Sequence, residues 1–94
     1  MAKDRSMINQ VTLAEMFNDS VVRYGDLRCQ WWKPTPDTLA SLTYAQSGRI
    51  VKELACGLMS MGLKKQDRAA IMSATCPQWM WADFSILMSA GITV

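Results

Sequence analysis

Histidine is absent from this 94-residue chain. Its absence removes Ser-His and Cys-His nucleophile pairs and the commonest metal ligand. Proline and glycine are sparse, at 3 and 5, while half of the residues are hydrophobic, a composition that excludes a disordered chain. Cysteine occurs at Cys29, Cys56 and Cys76. An odd number at such wide spacing builds neither a disulfide framework nor a paired Cys-x-x-Cys zinc knuckle, and a reducing cytoplasm is the expected location. Basic residues stand singly apart from Lys64-Lys65, and the net charge is only +2. No basic stripe forms that would track a phosphate backbone, so nucleic acid is not an expected partner. Met1 to Gln10 holds Lys3, Asp4 and Arg5 but no apolar core of signal-peptide length. The longest apolar region, Trp79 to Val94, contains Asp83 and is shorter than the ~20 residues that cross a bilayer. Contact with a membrane surface stays open.

Helical and strand periods divide the rest. Residues 1–11 read as an N-terminal tail and residues 12–94 as one incomplete domain. Leu13, Met16, Phe17, Val21 and Tyr24 recur along one face, which predicts a helix from Leu13 to Tyr24. Thr12 and Glu15 frame its start as a capping box, and Gly25 is expected to supply a left-handed exit. Arg28 to Trp32 and Ala40 to Thr43 read as a hairpin whose turn holds Pro34 and Pro36, residues that remove ladder donors. A second helix is expected from Tyr44 to Met61, capped by Thr43 and Gln46 and closed by Gly62. Its apolar side carries Ile50, Val51, Leu54, Ala55, Leu58 and Met61. Arg68 to Ser73 suits a buried strand.

The third helix, opened by Thr75 to Trp79, differs in kind. Trp79, Met80, Trp81, Phe84, Ile86, Leu87 and Met88 surround its axis, so it is expected to be buried on nearly every side. Two helices and a hairpin cover only one of its faces, and the other is a surface prone to association that further sequence, a partner or a second copy is expected to cover. Gly91 to Val94 then begins a second, parallel strand. The fold class is α/β, with three helices, a β-hairpin and an unfinished strand–helix–strand unit. A parallel strand at the final residues is expected to have more sheet beyond it.

Candidate chemical motifs are few. Gly57 and Gly62 have the spacing of a phosphate-binding P-loop, but Leu63 stands where the lysine is required, and both glycines belong to a helix and its cap. Trp31 and Trp32 point to opposite sides of a strand. Core and edge packing is preferred for them over a stacking platform. Asp83 lies in an apolar helix, where a carboxylate needs a partner. An Arg or a backbone N–H is the structural expectation, and a catalytic acid of raised pKa the sharper alternative. The eight methionines read as core filling, with a plastic apolar surface as the alternative. The cysteines read as small buried hydrophobes, with nothing near Cys29 or Cys76 expected to lower a pKa.

The ordered set Leu42-Thr43-Tyr44-Ala45, Ala55, Gly57, Leu58, Gly62, Asp67-Arg68, Ala70-Ile71, Pro77-x-Trp79, Ala82-Asp83 and Gly91 resembles the N-terminal region of AMP-forming acyl-CoA synthetases in the adenylate-forming superfamily. The resemblance runs from Thr12 to Val94. The pattern Ser73-x-x-x-Pro77-x-Trp79-x-x-x-Asp83 is most similar to the long-chain fatty acid CoA ligases. Thr75 and Gln78 stand where many relatives have Asn and Glu, and both suit a helix start, Thr75 as its cap.

The resemblance implies a parent enzyme that uses ATP and Mg²⁺ to convert a fatty acid to an acyl-adenylate. Pyrophosphate is released in that step, and thioester formation with coenzyme A then releases AMP. The motifs that bind those groups lie further along such enzymes than Val94, so no catalytic, cofactor-binding or metal-binding residue is assigned here. The expected partner is the remainder of a synthetase chain, and the expected role is scaffold. Two other readings share these features: a small non-enzymatic module that binds through the apolar third helix, and the front end of a different adenylate-forming enzyme.

Overall fold

The computed structural model describes residues 12–94, so the expected tail at residues 1–11 lies outside the described residues. Helix α1 spans Leu13–Arg23 and begins with the expected capping box. The Thr12 hydroxyl accepts from the Glu15 N–H at 3.1 Å, and the Glu15 carboxylate accepts from the Thr12 N–H at 3.0 Å. Tyr24 caps the other end, with its N–H donating to the Ser20 carbonyl. Gly25 does not take the left-handed conformation expected of it, because Gly62 is the glycine with positive φ among the described residues. Close approach is its constraint instead. A Cβ at Gly25 would sit 3.1 Å from the Val21 carbonyl, and the Gly25 carbonyl accepts from the Ala45 N–H at 3.1 Å.

Strands β1 (Arg28–Trp32) and β2 (Ala40–Thr43) pair antiparallel. Arg28 faces Thr43 and Gln30 faces Leu42, so Cys29 is the extra residue of a β-bulge. A bulge bends its strand and re-aims the side chains beside it. Trp32 is half-buried while Trp31 stays exposed, the division that alternation predicted. The Thr35 and Thr38 hydroxyls, 2.8 Å apart, close the proline-containing turn.

Helix α2 (Tyr44–Ser60) starts with a second capping box, Thr43 with Gln46. It ends in a Schellman motif: Gly62 N–H donates to the Met59 carbonyl, Leu63 N–H donates to the Leu58 carbonyl, and Gly62 has φ +111°. The core-facing stripe is Ser47, Gly48, Val51 and Ala55. Leu54 and Met61, expected on the apolar side, are exposed. The stripe turned toward two small residues because α1 crosses closely there. A Cβ at Gly48 would come within 2.9 Å of both Val21 methyls.

Helix α3 (Pro77–Met88) lies between strands β3 (Arg68–Ala69) and β4 (Ile92–Thr93), which pair parallel as the strand–helix–strand reading requires. Two expectations are corrected here. The strand expected from Arg68 to Ser73 is a ladder of two residues, extended by an Ile71 N–H to Val94 carbonyl bond of 3.3 Å, and Met72 projects 99% exposed. The N-cap of α3 is Cys76, not Thr75, because Pro77 fixes the first helical φ and has no N–H to lose.

The core is small: Phe17, Val51, Ala55 and Ile86, with Ser47, Ser85 and Ser89 buried among them. Ser85 and Ser89 donate back to carbonyls of their own helix, Ala82 at 2.8 Å and Ser85 at 2.9 Å, so α2 and α3 meet on small residues with no polar cost. The α3 C-terminus is a second Schellman motif, with Ala90 N–H bonded to Leu87 and Gly91 N–H to Ile86. Its left-handed residue is Ala90, at φ +60°. A Cβ there costs about 1–2 kcal/mol. Ala90→Gly should therefore raise the unfolding free energy, by about 0.5–1 kcal/mol after the extra unfolded-state entropy of glycine is counted. Urea titration of the two chains checks this, and a loss of stability would contradict the assigned motif.

Candidate functional site

The densest polar cluster centres on Gln30, which no sequence motif singled out. Its Oε1 accepts from the Trp81 indole Nε1–H at 2.7 Å and from the Ser47 hydroxyl at 3.2 Å, while its Nε2 donates to the Pro77 carbonyl at 3.2 Å. One amide thus joins β1 to α2 and to the first turns of α3. The bulge at Cys29 is the local device that brings this strand side chain against both helices. A polar residue between Cys29 and Trp31 was the available signal, but a period-two pattern does not say that a glutamine will be half-buried.

Beside this cluster lies an open, mainly apolar cleft of about 340 Å³, lined in part by Leu13, Met16, Phe17, Cys29, Met80 and Phe84. Phe17 and Phe84 form its floor as a stacked pair, with centroids 4.4 Å apart and planes 16° from parallel. Leu13 and Met16, expected to face a core, stand at the rim 60% and 53% exposed. Among the described residues Asp83 is half-buried and has neither a hydrogen bond nor an ion pair, so the structural partner expected for it does not appear among them.

The cysteines separate. Burial pushes the Cys29 thiol up, against a smaller opposing effect of the Ser47 hydroxyl. Cys76 was expected to be unremarkable and is instead held below the ordinary thiol range. The Ser73 hydroxyl is the main cause, burial opposes it, and the amides of Trp79 and Gln78 add to the lowering. Ser73 Oγ lies 3.6 Å from Cys76 Sγ. The neutral thiol makes no capping hydrogen bond, but a thiolate at a helix N-terminus is favoured by unpaired N–H groups. At neutral pH iodoacetamide should alkylate Cys76 before Cys29, and as pH is raised the Cys76 rate should begin to climb at a lower pH than the Cys29 rate. Peptide mapping of a time course measures this order, and faster labelling of Cys29 would contradict it.

The described residues do not bring together the side chains that would hold the groups the resemblance implies. Among the described residues no three His, Cys, Asp or Glu side chains gather to hold a metal ion. Gly57 lies in α2 and Gly62 in its cap, so neither opens a phosphate loop. No helix of the described residues is long and apolar enough to cross a membrane.

Comparison with known proteins matches residues 17–94 to the family described as AMP-binding enzyme. The chain is 29% identical over 85 residues to the long-chain-fatty-acid–CoA ligase heimdall of Drosophila melanogaster, covering 86% of this chain and 12% of that protein. It is 32% identical over 84 residues to the acyl-CoA ligase sidI of Aspergillus fumigatus, covering 89% and 14% respectively. The chain therefore spans only a small part of these relatives. In structure it is similar to a fatty acyl-adenylate ligase from L. pneumophila, solved with acyl adenylate and pyrophosphate. The TM-score is 0.83 at 17% identity, covering 97% of this chain and 16% of that one, a likeness of fold. With the α/β topology and the family match in agreement over most of its length, the chain belongs to the AMP-binding enzyme family and resembles the N-terminal region of its long-chain fatty acid CoA ligases.

Proposed function

We propose that this chain is a scaffold segment of an AMP-forming long-chain fatty acid CoA ligase, working as part of a longer synthetase. In the parent reaction a fatty acid carboxylate attacks ATP to give acyl-adenylate and pyrophosphate. The thiol of coenzyme A then displaces AMP. ATP, Mg²⁺, fatty acid and coenzyme A would be held by residues of the longer protein, and a cytoplasmic location, in contact with membrane surfaces, suits such substrates.

The observation that carries this reading is the parallel β3–α3–β4 unit, which falls within the residues matched to the family. Two-stranded parallel ladders are not stable alone and belong inside larger covered sheets. The Thr93 hydroxyl supports it, since it is buried and has no hydrogen-bond partner among the described residues. Exposed Met72, Ile92 and Val94 flank the same ladder, where further sheet would cover them. Placement is the contribution of such a segment, because an error of ~1 Å at distant reacting groups can cost about a hundredfold in rate.

The test compares two proteins. A longer protein carrying this segment should release AMP and pyrophosphate in a manner dependent on long-chain fatty acid and coenzyme A, while the 94 residues alone should release neither. Acyl-adenylate formation by the 94-residue chain would overturn the scaffold role. Activation of amino acids or aryl acids in preference to fatty acids would move the longer protein to another branch of the family.

A further inference from the structure

We draw no further inference here: the strongest candidate, the open apolar cleft between the start of α1, the bulged β1 and one face of α3, carries nothing because nothing in the structure shows what covers it.

Discussion

Replacing Phe17 by alanine should lower the unfolding free energy by about 3–5 kcal/mol, the usual cost of deleting a buried aromatic ring. Phe17 is 5% exposed, and it is the buried residue that α1 contributes. Its ring stacks on Phe84 of α3, so deleting it leaves α1 attached chiefly by Val21 against Gly48 and by backbone bonds beyond Gly25. Domains of this size are stable by only about 5–15 kcal/mol in total. The melting temperature should fall by at least about 12 °C. Phe17→Leu keeps most of the apolar volume and should fall between the two, which retains a measurable comparison if Phe17→Ala does not fold. A loss below about 1 kcal/mol in urea titration would mean that α1 is not docked through this ring.

Gln30→Leu should cost about 2–4 kcal/mol even though the side chains are similar in size. The expense lies in what is left behind: the Trp81 indole N–H, the Ser47 hydroxyl and the Pro77 carbonyl lose their common partner. A buried polar group without a partner costs about 1–3 kcal/mol; the Trp81 indole N–H loses its acceptor outright, while the Ser47 hydroxyl keeps only the Cys29 sulfur beside it. Ser47 is fully buried, so water does not rescue its hydroxyl. Gln30→Glu separates the contributions. A carboxylate still accepts from Trp81 and Ser47 but has no N–H for the Pro77 carbonyl, so its loss should be the smaller one near neutral pH. Equal losses for both variants in matched thermal melts would show that the cluster is not organised around the amide oxygen.

These two sites differ in how far they were legible. Phe17 belongs to a helical stripe visible in the sequence, but the same stripe names Leu13 and Met16, which stand at the cleft rim. Periodicity identifies a face without identifying which members reach a neighbour, because that depends on where the neighbouring helix crosses. The α2 stripe shows the same shift. Its centre moved to Ser47 and Gly48 because close approach to Val21 favours small residues over leucine. For Gln30 the sequence offered only a polar residue between Cys29 and Trp31, and its role follows from a bulge that no residue type in β1 announces.

Local chemistry settled the boundaries at the amino-acid level. Both capping boxes, the Gly62 exit, the proline-containing hairpin turn and the order of helices and strands arise from contacts within a few residues, where side-chain type alone fixes geometry. The family resemblance rests on that same local order. Tertiary packing decided what local rules cannot reach. It shortened β3 to a two-residue ladder. It also made Gln30 the link between three elements. Each of these depends on distances between segments far apart in the chain, and no one-dimensional pattern encodes such distances.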